Sequence, residues 1–154
     1  MDWYKEVKPT GFKQEAVSTP ISGDLWSSLD EATRPEKETL KLRKITAAGG
    51  GVLEPDPDSP VILLGDSHNL VFQAGGDMHA SGSGLADQLA YELGIAVDLR
   101  AVRGSGATPA RINLYRAGSS RAGYFAKKKV VVWCFAAREF TESQGWRLVP
   151  VTKK

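Results

Sequence analysis

The chain of 154 residues has a single cysteine, Cys134, so no intrachain disulfide can staple it. That cysteine lies inside "VVVWCFAA", whose apolar neighbours mark it as a small core residue rather than a nucleophile. No stretch reaches the ~18–20 apolar residues of a membrane helix, which argues against membrane insertion. The N-terminal "MDWYKEVKPTGF" lacks the apolar segment of a signal peptide, so any export signal is expected to have been removed or never present. A dominant charge is missing too. Twenty Lys and Arg against 18 Asp and Glu leave a formal +2, too little to argue for nucleic acid. The basic residues are scattered, apart from the Lys153-Lys154 tail and Lys127-Lys128-Lys129, which reads as a solvated strand entrance. Histidine occurs only at His68 and His79. No His/Cys/Asp/Glu cluster has metal-ligand spacing, so no metal and no other cofactor is expected. Neither G-x-x-x-x-G-K-[ST] nor G-x-G-x-x-G occurs, which ranks nucleotide or phosphate binding last among the readings.

What remains is ordinary for a globular chain: 42% apolar and 25% charged residues, enough for one domain with a core. Residues 1–59 read as an N-terminal extension with edge elements, and residues 60–154 as the core. Residues 1–38 combine proline, charge and tryptophan with weak periodicity. A short helix is expected near Gly23–Ala32, capped by Ser22 or Asp24. "ETLKLRKI", 38–45, alternates as an edge strand does. "AAGGGVLEPDPDSP", 47–60, holds three glycines and three prolines and reads as a surface loop.

From residue 60 the pattern sharpens. "VILLG" is a short continuous apolar run, as in a strand covered on both faces. "ASGSGLADQLAYELG" places Leu85, Ala86, Leu89, Ala90 and Leu93 on one helical stripe, with Ser81 or Ser83 as cap and Gly94 as stop. "IAVDLRAV", 95–102, is a second strand. "GSGATPARINLYRAG" turns and enters a helix near Thr108-Pro109, and "KVVVWCFAA", 129–137, is a third buried strand. "GWRLVPV" is a candidate edge strand. Strand–helix–strand–helix–strand predicts an α/β chain: a three-layer α/β/α, flavodoxin-like parallel sheet, with room for an added edge strand.

Functional groups in such sheets gather beyond the carboxyl ends of the strands. Three loops lie there: Gly65–His79, Arg103–Thr108 and Ala136–Ser143. "PVILLGDSHNLVF" ends its strand on Gly-Asp-Ser-His, which puts the Ser67 hydroxyl at the rim of the crevice. A serine so placed attacks an acyl carbonyl if a base takes its proton. The backbone N–H groups of Ser67 and Gly104 are candidate oxyanion donors, and Arg138 a third. Glycine suits position 104, where a substrate would approach the backbone closely. The plainer reading of Gly-Asp-Ser is an ordinary strand-to-helix turn.

"ILLGDSH" resembles the first block of the SGNH (GDSL-type) hydrolase superfamily, whose nucleophilic serine follows Gly-Asp. "VDLRAVRGSGATPARI" is similar to its second block, where a glycine-bearing turn supplies an oxyanion donor. In place of the third block's Gly-x-Asn-Asp stands "VVVWCFAAREF". That string and "GSGLADQLAYELGIAVDL" look like the branch of alginate O-acetylation proteins. The match covers about residues 60–150. It implies an SGNH-like fold and acetyl-ester chemistry on an exported polysaccharide through an acyl-Ser67 intermediate, as an O-acetyltransferase or acetylesterase. It also implies a periplasmic or exported location and an acylated carbohydrate as partner. The oligomeric state is left open.

The family's usual base is missing. No Asp-x-x-His pair follows the last strand, and residues 1–66 hold no histidine to form the Asp-x-His pair of the alginate-type branch. Three readings stay open. His79, oriented by Asp77, completes a Ser67–His79–Asp77 arrangement. Alternatively, Asp77 and His79 are polar loop residues before a helix. Or this chain is the C-terminal part of a longer protein whose upstream segment supplies the pair. His68 follows Ser67 directly, and neighbours on an extended chain point opposite ways, so it is a poor base and reads, with Asn69 and Arg103, as a substrate contact. Trp133 reads as core and Trp146 as packing or a sugar contact. The alternative to an enzyme is an inactive SGNH-like carbohydrate-binding or structural domain.

Overall fold

A computed structural model describes residues 2–23, 25–104, 106–141 and 145–150. Its elements, in chain order, are α1 (Asp2–Lys5), β1 (Lys13–Ile21), β2 (Glu38–Thr46), β3 (Val61–Gly65), α2 (Leu85–Leu93), β4 (Asp98–Ala101), α3 (Ala107–Ser120), β5 (Val130–Cys134) and α4 (Arg138–Thr141). Strands β4, β3 and β5 form a parallel sheet in that order, with Ile62 opposite Asp98 and Val61 opposite Val130. This is the 2-1-3 start of the flavodoxin-like arrangement.

The unbroken apolar run of β3 is explained by its two covered faces. Val61 and Leu63 pack with Ile45, Leu53, Ala86, Ala90 and Val97 on one side. Ile62 and Leu64 pack with Ala110, Leu114, Ala117 and Tyr124 on the other. Helix α2 therefore lies in one outer layer and α3 in the other. Each of Ile62 and Leu63, fully buried, contributes roughly 1.5–3 kcal/mol of hydrophobic stabilisation.

Several local expectations change in three dimensions. Strand β2 forms over 38–46, but it pairs antiparallel with β1 in a separate two-stranded sheet. β1 itself went unseen because its side chains are exposed or half-buried, leaving no apolar alternation to detect. The helix expected near 23–32 is only a 3-10 turn, Trp26–Ser28, and Asp24 lies outside the described residues. Residues 145–150 form no strand, and Val151 lies outside the described residues. Leu85 leaves the expected stripe and is exposed, while Asp87 is buried beside Ala86 and Ala90.

Helix α2 starts on Gly84 rather than on a serine cap: the Asp87 carboxylate accepts the Gly84 N–H at 2.9 Å. Gly94 ends it in the left-handed conformation, at φ 70°. Burial pushes the Asp87 carboxyl up to about 6, against the pull of the Gly84 and Asp87 N–H groups. Because the folded value lies above the unfolded 3.8, the favourable contribution is complete below pH 4. It is lost as pH rises through 6. Asp87→Asn keeps the acceptor without the charge. It is expected to raise stability at pH 7.5 by about 1–3 kcal/mol and to match the parent protein at pH 4 in paired urea melts. A parent protein equally stable at both values would refute this.

In the lysine triplet Lys127 and Lys129 are solvated as expected, but Lys128 is not. Lys128 is buried and donates to Asp98 Oδ2 at 2.7 Å and to the carbonyls of Pro57 and Ser59 at 2.6 and 2.9 Å. Asp98, also buried, takes Arg100 at 2.7 Å and the Tyr124 hydroxyl as well. Burial and that carboxylate raise the Tyr124 phenol, keeping it protonated. This polar knot clamps the amino ends of β4 and β5. Lys128→Met is expected to cost about 2–3 kcal/mol in urea melts, because Asp98 keeps two of its three partners.

Candidate active site

Parallel strands put the ends of β3, β4 and β5 at one edge of the sheet, so the described parts of the three predicted loops gather there; Ser105, Glu142 and Ser143 lie outside the described residues. The carbonyl of Gly65 accepts the Val102 N–H at 3.3 Å, tying the second loop to the first. Asp66 closes β3 in an extended conformation, and Ser67–Leu70 then wind into a 3-10 turn. Such a turn advances about 120° per residue, so Ser67 and His68 are not opposed as on an extended chain. Both line one open cleft of about 810 Å³, together with Asp77, His79 and Arg138. Pro20, Ser22 and Lys37, from the ends of β1 and the β1–β2 connection, form part of its wall. Sequence alone offered no signal for that wall, because it depends on where a separate sheet docks.

Asp66 is the keystone of the first turn. Its side chain is 1% exposed. Oδ2 accepts the Ala136 N–H at 3.0 Å, which binds the third loop to the first. Oδ1 accepts the His68 N–H at 3.0 Å and faces the His68 ring Nδ1 at 3.1 Å. Burial pushes the Asp66 carboxyl up, but the Ala136 and His68 N–H groups and the imidazole outweigh it, and the net is a lowered pKa. An ionised carboxylate thus sits at the root of the turn and orients His68.

Asn69, expected to contact substrate, is instead buried at 1% exposure. Its Nδ2 donates to the carbonyls of Cys134 at 2.9 Å and Asp66 at 3.3 Å, clamping β3 to β5. Gly65 is required beside it. A Cβ there would lie 2.0 Å from Asn69 Nδ2 and 2.1 Å from the Cys134 carbonyl oxygen.

His79 and Asp77 are both on the cleft, but they do not pair with each other among the described residues. Arg103 Nη1 donates to both Asp77 oxygens, at 2.9 and 2.8 Å. This exposed ion pair joins the second loop to the His79 loop and occupies the carboxylate that was expected to orient His79. Arg103 therefore braces the two loops through Nη1. His79 sits at φ 73° and ψ −60°, the centre of a γ-turn in which the Ala80 N–H donates to the Met78 carbonyl at 3.0 Å. That conformation is strained, as is Phe72 at φ 59°, whose ring centroid lies 5.8 Å from the His79 ring. The strain is carried by a loop that closes on itself: Phe72 N–H bonds Met78 at 2.9 Å and Gly75 N–H bonds Ala80 at 2.8 Å.

Gly104 is exposed at φ 64°, and neither its N–H nor that of Ser67 has a hydrogen-bond partner among the described residues. Arg138 opens α4, while the next residue, Glu139, turns away. Its Oε2 accepts the Ala107 N–H at 2.9 Å and caps α3. Glu139 fills the space beside Gly106, where a Cβ would lie 1.9 Å from its carboxylate. No group of three or more His, Cys, Asp and Glu side chains that could hold a metal occurs among the described residues. None of their helices is long and apolar enough to cross a membrane.

The strand expected to be buried at 129–137 is instead partly exposed, with Trp133 37% exposed, because it lies beside β3 at one side of the described sheet. A parallel sheet whose central strand is covered on both faces, with a serine-bearing cleft at its carboxyl edge, defines an α/β protein of flavodoxin-like order. No family model and no curated protein matches the chain. Among solved structures it is similar to the O-acetyltransferase domain of Pseudomonas putida AlgJ, with a TM-score of 0.61 and 22% identity. The match covers 94% of this chain and 46% of that one, so the chain spans less than half of the structure it matches. At this identity the likeness establishes the fold, which is the one that the sequence resemblance implied.

Proposed function

We propose that the protein is an acyl-ester enzyme, an O-acetyltransferase or acetylesterase acting on an acylated carbohydrate through acyl-Ser67. The observation that carries the reading is the placement of Ser67. It opens a tight turn at the carboxyl edge of the sheet, on a cleft shared with two histidines, and its own N–H has no partner among the described residues. The Ser67 oxygen attacks the acyl carbon while His79 takes its proton. The N–H groups of Ser67 and Gly104 hold the oxyanion, with Arg138 on the same cleft. Collapse releases the first alcohol, which regains the proton, and leaves acyl-Ser67. A water or sugar hydroxyl then attacks the acyl carbon and gives its proton to His79; the bond to the Ser67 oxygen breaks, and that oxygen takes the proton back. The fold likeness to an O-acetyltransferase domain supports this chemistry. Export and the carbohydrate partner remain part of the same proposal.

One observation favours a second reading, a non-catalytic carbohydrate-binding domain: Asp77 is bound to Arg103, and His79 has no carboxylate partner among the described residues. A fluorophosphonate probe separates the two. The enzyme reading expects one covalent adduct, mapped to Ser67 by peptide mass spectrometry. An intact, folded chain that binds polysaccharide but never labels would leave only the binding domain.

A further inference from the structure

His68 is the one histidine with a carboxylate partner among the described residues: its Nδ1 lies 3.1 Å from Asp66 Oδ1. The imidazole is 58% exposed and the carboxylate 1%, so a ring at the cleft surface is held by a buried acid. Asp66 is itself fixed. Its Oδ2 accepts the Ala136 N–H and its Oδ1 also accepts the His68 N–H. An ionised carboxylate only accepts hydrogen bonds, so Nδ1 carries the proton of the neutral ring and Nε2 carries a lone pair. Nε2 lies across the ring from Nδ1, away from Asp66, and no donor reaches it among the described residues. The ring lines the same cleft as Ser67, whose Cα is about 3.8 Å from that of His68. A lone pair fixed there recognises an O–H group. A carboxylate, a phosphate diester or an ester carbonyl brings no proton to it.

We propose that His68 is the subsite for a second hydroxyl of the acyl acceptor, the one on the carbon next to the hydroxyl that takes the acyl group. The acceptor class is then a vicinal diol, which sugars carry and simple alcohols lack. This rests on the acyl-Ser67 reading. The reacting hydroxyl attacks the acyl carbon and gives its proton to His79, while the neighbouring O–H donates to His68 Nε2 and keeps its proton. The bond from the acyl carbon to the Ser67 oxygen breaks, and that oxygen takes the proton from His79. The product is a monoester with one free hydroxyl. His68 exchanges no proton, so it is a binding and specificity residue. Asp66 is its positioning residue: a fixed acceptor must keep one tautomer throughout turnover, and the buried carboxylate enforces it. The cleft, at about 810 Å³, has room for a sugar ring.

Ethylene glycol and its monomethyl ether differ only in the O–H donor on the neighbouring carbon. With p-nitrophenyl acetate as acyl donor and both alcohols present, the full chain is expected to acetylate the glycol roughly ten-fold faster per hydroxyl, the effect of one hydrogen bond. His68→Phe should bring that ratio close to unity. His68→Gln, whose amide oxygen keeps an acceptor near the place of Nε2, should retain part of it. A merely structural role for His68 would slow both transfers alike and leave the ratio unchanged. Nitrogen NMR of the parent chain depends on no variant folding. At about pH 8, where free imidazoles are neutral, it should find His68 as the Nδ1–H tautomer. A parent ratio near unity, an unchanged ratio in folded His68→Phe, transfer from acyl-Ser67 to neither alcohol, or an Nε2–H tautomer would each overturn the subsite without touching the acyl-enzyme. No acyl-Ser67 in the intact mass with this donor would overturn the acyl-ester reading, and the subsite with it.

Discussion

Ser67→Ala is expected to lower acetyl-ester turnover by about 10³-fold or more and to abolish fluorophosphonate labelling. The methyl group cannot form the covalent intermediate, and only the amide donors and the shaped cleft remain to assist water. Stability should barely move, because Ser67 is half-buried and its side chain makes no hydrogen bond among the described residues. A thermal melt therefore separates lost chemistry from lost fold. His79→Gln is expected to fall nearly as far, since base and nucleophile act as a unit. Asp77→Asn should change turnover little: its ion pair with Arg103 is exposed, and such pairs are worth about 0–1 kcal/mol. Turnover that survives Ser67→Ala unchanged would end the acyl-enzyme reading.

Gly65→Ala is expected to destabilise the protein by about 3–5 kcal/mol, enough to unfold a domain of ordinary stability. The added methyl would enter the space held by Asn69 Nδ2 and the Cys134 carbonyl, both within 2.1 Å. One obstacle is a buried amide that ties two strands, and the other is backbone of β5. Neither can step aside without parting the sheet or leaving a buried carbonyl unpaired. Combining Gly65→Ala with Asn69→Ala should recover only part of the loss, since the Cys134 oxygen stays. Urea midpoints of the single and double variants test this, and a Gly65→Ala protein as stable as the parent would refute it. The effect on turnover should follow the fold, because Gly65 is the residue from which the Asp66–Ser67 turn departs.

The parallel core was legible because its central strand is covered on both faces and its helices carry amphipathic or capping signals. "VILLG" needed no partner to be recognised, and Gly94 stops α2 where expected. The rim position of Ser67 followed from the strand-end rule alone. The hairpin strand β1 was not legible, since its exposed side chains carry no apolar code. Roles of single polar residues in the site were also hidden. Asp66, Asn69 and Glu139 look like turn or loop residues in one dimension. In three they respectively bind the third loop, clamp β3 to β5, and cap α3.

The amino-acid sequence by itself determined the strand–helix order, the parallel sheet and the edge at which the Gly-Asp-Ser turn emerges. Periodicity and turn chemistry are local, and they survive whatever surrounds them. Only the tertiary structure decided that Asp77 belongs to Arg103, that His68 rests on Asp66, that Lys128 is buried and that Trp133 is not. Those outcomes depend on which charges meet across long loops and which strand is left at an edge. Such pairings are set by the docking of distant segments, about which a run of neighbouring residues carries no information.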